Sequence, residues 1–239
     1  MQKRVKTENM SEIFGIKYLT PELPKVTVSL PCYKRPERTL RAIECIRKQT
    51  VRKNIELLIT IDGDIDLLKR VFSLYYNDPS PTIEDYISDK YLDGFKIQID
   101  CVEHGGNWGT AIRNKHIREA SGKHFIFMGS DDTTEPNHVE NYLSQIEGTD
   151  LDFVAFDSYV EPNNAPRNTQ FQEGMIGHSE LIIRTDFLRT MPPHEPVYGH
   201  DWTLVKNMMA ATGKYKKAVG APQTYIVKSI PGKPEQGID

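Results

Sequence analysis

The sequence predicts an α/β fold built on a mainly parallel central sheet flanked by helices. Two observations carry that prediction. Apolar, β-branched runs alternate with segments of helical periodicity to about residue 150. Polar clusters follow the ends of those runs, the edge at which open parallel sheets bind ligands. At 239 residues the chain can form one large domain or two small ones. Apolar residues are 38% and charged residues 26%, so a core of ordinary size is available.

The first strand is read over residues 26–30, where Val26, Val28 and Leu30 alternate with Thr27 and Ser29. Pro31 is expected to stop it. Pro36 and Glu37 open a helix, with Leu40, Ile43 and Ile46 at helical spacing to about Gln49. Residues 55–61 read as a nearly continuous apolar strand, suited to a sheet covered on both faces. Helices are expected over 67–76 and, shorter, over 83–90. A strand over 95–102 leads into the glycine-rich turn His104-Gly105-Gly106-Asn107-Trp108-Gly109. A helix over 110–120 closes at Gly122. The strand over 125–128 runs into Gly129-Ser130-Asp131-Asp132, and Pro136 starts a helix with Val139, Tyr142, Leu143 and Ile146 on one face. Strands follow over 153–156 and 181–184. Trp202, Val205, Met208 and Met209 mark a helix, and short strands are read over 215–218 and 225–228. Residues 160–172 are polar and interrupted by proline, which predicts a mobile loop able to fold over a bound molecule.

Charge and composition exclude several classes. Thirty basic and 33 acidic residues leave a net charge of −3, which argues against binding dominated by nucleic-acid phosphates. No apolar run approaches the ~20 residues that span a bilayer. Residues 1–11 lack the apolar stretch of a signal peptide. Cys32, Cys45 and Cys101 are too few and too scattered for a disulfide framework or a thiolate zinc site. These features predict a soluble, cytoplasmic protein with a lead-in over residues 1–24.

Each polar cluster admits a chemical reading and a plain one. The Ser130-Asp131-Asp132 carboxylates can hold Mg2+ or Mn2+ and so neutralise a diphosphate. They can equally cap the helix that Pro136 opens. Tyr33 can stack on a nucleobase while Lys34 or Arg35 faces phosphate. The alternative is a turn with solvated charges. Asp62 can accept hydrogen bonds from a base or ribose, or simply belong to an Asp-Gly turn. Around Asn107, Trp108 and Gly109, with Arg113 and Asn114 beyond, glycine permits close backbone approach and the helix start favours anions. Neither G-x-G-x-x-G nor a Walker loop occurs. Asp201, in Gly199-His200-Asp201-Trp202, reads as a helix cap or as a general base. His178 and His194 lie in nearby loops, as metal ligands or as surface residues. Trp108 and Trp202 are core aromatics or sugar-stacking platforms.

Taken in order, these motifs resemble the inverting nucleotide-sugar glycosyltransferases of the GT-A fold often described as family 2. The match runs from about Val26 to Lys217. The first strand with Pro31-Cys32-Tyr33-Lys34-Arg35-Pro36 is similar to that family's Pro-x-Tyr-Asn-Arg turn. Lys48-Gln49-Thr50 is similar to its Gln-Thr helix ending. Asn107-Trp108-Gly109, Ala111-Ile112-Arg113-Asn114 and Ala120-Ser121-Gly122-Lys123 resemble its Asn-x-Gly, Ala-Arg-Asn and Ala-x-Gly-Lys runs. Gly129-Ser130-Asp131-Asp132 resembles Asp-x-Asp-Asp, with Pro136 at the family's distance.

The resemblance implies a single GT-A domain over residues 25–239, its nucleotide-binding half about 25–135 and its acceptor half about 136–228. It implies an enzyme that moves a sugar, with inversion, from a nucleoside-diphosphate donor, UDP being commonest, to an acceptor hydroxyl. Asp201 would be the base and Asp131 the ligand of Mn2+ or Mg2+. Pro31, Tyr33, Arg35, Asp62, Asn107, Gly109, Arg113, Ser130 and Asp131 would line the donor. Trp108, His200 and Trp202 would lie on the acceptor side. A polysaccharide, a protein or a hydroxylated DNA base would serve as acceptor, DNA being disfavoured by charge. Two positions depart from the pattern. Gly129 replaces its first aspartate, leaving Ser130 to compensate, and His200 replaces the acidic residue that often precedes the base. A nucleotidyltransferase would want a glycine-rich turn after the first strand, and a phosphohydrolase Asp-x-Asp there; neither is present. A non-catalytic nucleotide-sugar-binding module is the remaining alternative.

Overall fold

The computed structural model describes residues 24–63, 69, 96–106, 109–161 and 165–228. The helices expected over 67–76 and 83–90 lie outside the described residues, as do Asn107 and Trp108.

Strand β1 (Val26–Cys32) is the middle of the main sheet. It pairs in parallel with β2 (Ile55–Asp62) on one side and β4 (His124–Phe127) on the other. Strand β3 (Lys96–Val102) extends the parallel set beyond β2. On the far side, β9 (Leu181–Arg184) joins β4 and β6 (Phe153–Ala155) by antiparallel pairing, and β10 (Tyr215–Lys217) runs parallel to β6. The sheet order is β10-β6-β9-β4-β1-β2-β3, parallel at four of its six pairings. A second, four-stranded sheet has the order β5-β11-β7-β8, from β5 (Thr133–Thr134), β7 (Ser158–Glu161), β8 (Ala165–Arg167) and β11 (Tyr225–Lys228).

Alternation along the strands builds two cores. Ile126, Met128, Val154, Phe156 and Ile182 point to one face, packed by Ala42, Ile43 and Ile46 of α1 (Pro36–Arg47) and by Val139, Tyr142, Leu143 and Ile146 of α3 (His138–Ile146). Their neighbours Phe125, Phe127, Phe153, Ala155, Leu181 and Ile183 point to the other. That face is packed by Ile117 of α2 (Thr110–Glu119), Leu188 of α4 (Thr185–Leu188), and Leu204, Val205 and Met208 of α5 (His200–Ala211). Every residue of β2 is buried, the outcome its unbroken apolar run predicts.

Polar side chains join the elements at chosen points. Gln49 is 2% exposed. Its amide donates to Glu135 O at 2.8 Å and Thr134 Oγ1 at 3.2 Å and accepts from the Val139 amide at 2.9 Å. The Gln-Thr ending therefore ties α1 to the segment that follows the Ser130-Asp131-Asp132 turn. At the start of β2, Glu56 accepts from Thr27 Oγ1, Ser121 N and Ser121 Oγ at 2.6–2.7 Å. His116 of α2 bridges Ser29 Oγ and Thr60 Oγ1, each at 2.8 Å.

Two expectations need correction. Pro31 does not stop the first strand, and it sits in register with Thr60. Pairing between β1 and β4 ends at Ser29, so the missing N–H of Pro31 has no strand to serve on that side. The loop expected over 160–172 is, in its described residues, anchored structure. β7 and β8 pair antiparallel, β11 supplies a parallel partner to β7, and the Thr169 amide donates to Asp157 Oδ1 at 2.7 Å. Its polar composition reflects an edge position, where exposed side chains cover unpaired backbone.

A Cβ on Gly122 would lie 2.4 Å from Thr27 N and 2.5 Å from Val26 C, both backbone atoms of the central strand. Gly122→Ala is expected to destabilise the fold by about 3 kcal/mol or more, the scale of overpacking that backbone must absorb. Urea denaturation with an unchanged midpoint would refute that contact. Burial lowers the pKa of His116 and of His138 to about 3. Both are neutral when folded at neutral pH and take up protons near 6.5 when unfolded. Their stabilising contribution is complete above pH 6.5 and is lost as pH falls towards about 3. A thermal midpoint that drops across this window, more shallowly in His116→Asn, is the expected result.

Candidate functional site

Register brings the polar clusters to one edge. β1, β2, β3 and β4 point the same way, so the turns after Cys32, Asp62, Val102 and Phe127 all leave from the carboxyl edge of the sheet.

One corner is flat and aromatic. Tyr33 stacks on His104, with ring centroids 4.5 Å apart and planes 11° from parallel, and the Lys34 ammonium lies 4.9 Å from the Tyr33 centroid. Asp62 is 5% exposed. Its Oδ1 accepts the Gly105 amide at 2.8 Å and lies 3.2 Å from His104 Nδ1. Gly63 has φ 95°, and a Cβ there would meet His104 Cβ at 2.5 Å, so the turn demands glycine. Sequence reading gave His104 no role. Its signal was its place at the end of the third strand, level with Tyr33 and Asp62.

The next corner is charged. Lys34 and Arg35 both adopt left-handed backbone, φ 45° and 65°, a conformation that costs non-glycine residues on the order of 1–2 kcal/mol each. The Arg35 carbonyl accepts the Arg38 and Thr39 amides and so starts α1. Its guanidinium reaches Asp131 Oδ2 at 2.5 Å, with Arg38 Nη1 3.6 Å from the same oxygen. Arg38 is a second residue the sequence reading missed.

Asp132 does not cap α3. The N-cap residue is Asn137, without a side-chain cap bond. Asp132 Oδ2 instead accepts the Tyr225 hydroxyl at 2.5 Å, and that hydroxyl accepts the Gly129 amide at 3.1 Å. A Cβ on Gly129 would lie 2.4 Å from Asp132 Oδ2. A side chain at position 129 therefore has no room while Asp132 holds Tyr225. The Asp131 carboxylate and the Ser130 hydroxyl can donate oxygens to a divalent ion at this turn, while Asp132 Oδ2 is engaged by Tyr225. That set fits the sparse mode, in which Mg2+ or Mn2+ rests on one carboxylate, waters and the phosphates of a substrate. Arg35 must loosen its hold on Asp131 for an ion to enter.

The third corner holds Asp201. Gly199, at φ 79°, turns the chain into α5, and Asp201 falls in the first turn, where a carboxylate suits the helix dipole. Its side chain is 37% exposed, so solvent reaches it. Asp201 Oδ1 lies 3.4 Å from His178 Nδ1 and 3.2 Å from His200 Nε2. Arg113 is half-buried near it. Burial pushes the guanidinium pKa down, and the Asp201 charge opposes that shift. Arg113 also lies close to Gly109 and thus to Pro31, since a Cβ at Gly109 would be 3.3 Å from Arg113 Nη1 and from Pro31 Cβ. Asn114 clamps the loop that brings in His194, donating to its carbonyl at 3.0 Å and accepting its amide at 2.8 Å.

The reading of His178 and His194 as surface residues is corrected. They are 4% and 8% exposed. His200 is buried against Asp201, and Trp202 packs partly on the second core. Cys32 is buried, and burial pushes its thiol up to about 12, which leaves it unreactive. Beside α2 and His194 an open groove of about 360 Å³ is lined by Ile117, Leu188, Met191, Pro192 and Pro193.

Comparisons agree with this architecture. The Staphylococcus aureus TarS structure in complex with UDP superposes with a TM-score of 0.67 at 15% identity, covering 87% of this chain and 61% of that one. The mannosyltransferase PcManGT from Pyrobaculum calidifontis, in complex with GDP-Man and Mn2+, gives 0.59 at 15% identity, covering 90% of this chain and 59% of that one. Among curated proteins, glycosyltransferase AglE of Haloferax volcanii is 28% identical over 193 residues, 73% of this chain and 57% of AglE. Putative glycosyltransferase EpsH of Bacillus subtilis is 33% identical over 135 residues, 56% of this chain and 33% of EpsH. The chain thus spans a third to three fifths of the length of these relatives. Residues 27–210 match the family described as glycosyl transferase family 2. With its GT-A architecture and most of its length inside that match, the chain belongs to glycosyl transferase family 2.

Proposed function

We propose that this chain transfers a sugar, with inversion, from a nucleoside-diphosphate donor to an acceptor hydroxyl, with Asp201 as the general base. The observation that carries the proposal is the convergence of Tyr33, Asp62, Arg35, Asp131, Arg113 and Asp201 on one edge of one sheet. The donor base belongs in the Tyr33 corner, where an aromatic plane stands beside the Asp62 carboxylate. UDP is favoured because the TarS neighbour binds UDP and, in a second structure, UDP-GlcNAc. The diphosphate belongs near Arg35, Arg113, Gly109 and Ser130. A divalent ion held there by Asp131 would supply Lewis-acid stabilisation to the departing diphosphate.

The chain's own groups do the remaining work. Asp201 accepts the proton of the acceptor hydroxyl. The acceptor oxygen forms its bond to the anomeric carbon from the face opposite the diphosphate, which leaves with the bonding electron pair. Arg113 and the start of α2 offset the charge that develops on it. His178 and His200, both against Asp201 Oδ1, hold the carboxylate in place. We assign the nucleotide half to about 25–135 and the acceptor half to about 136–228. A glycan is the favoured acceptor, entering over the exposed side of Asp201, with protein and DNA bases as the other classes to test. A non-catalytic nucleotide-sugar-binding module is the second reading, favoured by one observation: Asp131 is paired with Arg35, and Gly129 adds no carboxylate.

Asp201→Asn should lower transfer by about 10²- to 10⁴-fold, the usual worth of a positioned base, while donor affinity by calorimetry stays within about twofold. Wild-type turnover in that variant would remove Asp201 from the mechanism. A donor at ~100 times its dissociation constant adds about 2.7 kcal/mol, and should raise the melting midpoint by about 5–10 °C. A panel of nucleotide sugars with and without Mn2+ should show one donor with a metal-enhanced rise, reduced in Tyr33→Ala. Stabilisation without turnover on any acceptor would favour the binding module.

A further inference from the structure

Three histidines meet outside the donor corner. His178 comes from the short 3-10 turn His178–Glu180, His194 from the loop before α5, and His200 from the first residue of α5. Their ring centroids are 4.7, 5.0 and 5.9 Å apart, and one ring nitrogen from each lies within 4.8 Å of the others. All three are at least nine-tenths buried. Phe127 covers the cluster from the sheet, 4.7 Å from the His178 ring and 5.6 Å from that of His194.

Their nitrogens are not used up by the protein. His178 Nε2 and both nitrogens of His194 are buried without a hydrogen-bond partner. A buried polar nitrogen left unsatisfied forfeits its hydration without compensation, and histidine packing alone gives no return for three of them. His200 Nδ1 lies 3.1 Å from Val197 O, the backbone anchor that fixes a ligating histidine and turns its other nitrogen outward. That other nitrogen, Nε2, points at Asp201 Oδ1 across 3.2 Å. When Nδ1 carries the proton, a nitrogen lone pair faces a carboxylate oxygen, an arrangement that a cation between them relieves.

We propose that His178, His194 and His200 form a binding site for a borderline transition-metal ion of the Zn2+ class, with Asp201 as an oxygen donor on its open side. Three neutral imidazoles and a carboxylate suit Zn2+ or Co2+ far better than Mg2+, which prefers oxygen. Burial lowers the pKa of all three imidazoles, so each offers a lone pair at neutral pH. Arg113 is the opposing charge, close enough to lower all three as well, and Asp201 offsets it at His194 and His200. Ligand atoms on a tetrahedral Zn2+ sit about 3.3 Å apart, so the rings must close by on the order of 1 Å. The site is distinct from the Asp131 turn but shares Asp201 with the sugar-transfer reading: an ion bound to that carboxylate would occupy the oxygen the base role uses, so the two uses of Asp201 exclude each other.

The test is a titration of the tag-free, chelator-treated chain with Co2+, read in the visible spectrum. One equivalent should bind with the intense absorption of a four-coordinate nitrogen-ligated ion, Zn2+ should displace it, and Zn2+ should raise the melting midpoint. His194→Ala should lose the absorption and the rise, because that ring makes no other hydrogen bond. Asp131→Asn should keep both. X-ray absorption on the wild-type Zn2+ protein should count three imidazoles, a measurement that stands even where a histidine variant fails to fold. Absence of the absorption, its survival in His194→Ala, its loss in Asp131→Asn alone, or fewer than three imidazoles would each overturn the assignment.

Discussion

β1 has parallel partners on both sides and neither face open to solvent. Its six buried residues leave no room for a shifted register, because a one-residue slip would turn Val26, Val28 and Leu30 out of the first core and put Thr27 and Ser29 in their place. The other elements take their positions from it. β2 and β4 are set by pairing Val26 with Ile55 and with His124. α2 is held across β1 and β2 by the His116 bridge between Ser29 and Thr60. Gly122 lies against the start of β1, donating its amide to Thr27 Oγ1 at 2.9 Å. The two edges of the sheet thereby acquire different chemistry. The amino edge is closed by the Glu56 network, while the carboxyl edge is lined with turns.

The carboxyl edge is a place of stored electrostatic tension. Arg113, Asp201 and three imidazoles share a small, mostly buried volume, where Arg113 lowers the pKa of all three imidazoles and the Asp201 charge opposes the fall at Arg113, His194 and His200. At the neighbouring turn Asp131 is held by Arg35, itself on strained left-handed backbone. Such arrangements persist only when the surrounding packing over-determines them, and they concentrate where chemistry is done. A diphosphate entering here would meet guanidinium groups whose present partner is a carboxylate of the same site.

Several motifs proved to be structural devices as much as site residues. Gln49 and Thr50 lock α1 to the segment behind the acidic turn. Asn114 clamps the backbone at His194. Gly122 and Ser121 seal the amino edge. Gly129 makes room for Asp132 to reach Tyr225, ninety-odd positions away in sequence. That last contact gives the departure from the family's acidic pattern a physical cause: the position is filled by the neighbouring carboxylate.

Local sequence sufficed for the central strands, the amphipathic helices and the turns, because periodicity, β-branching, proline and glycine act within a few residues. Among the described residues from β1 to α3 the expected elements recur within about three residues, and the clusters at the strand ends were legible from the sequence. The pairing of β7 with β8 and β11 was not legible, since a polar edge strand carries no apolar alternation to betray it. Nor was the stack of His104 on Tyr33, the arginine pair on Asp131, or the meeting of His178, His194 and His200. Those contacts join residues up to 96 positions apart, and only the packed sheet brings them within bonding range. The sequence by itself determined which side chains stand at the carboxyl edge. Tertiary structure decided which of them touch, because burial and register, not spacing along the chain, set the distances between their charges.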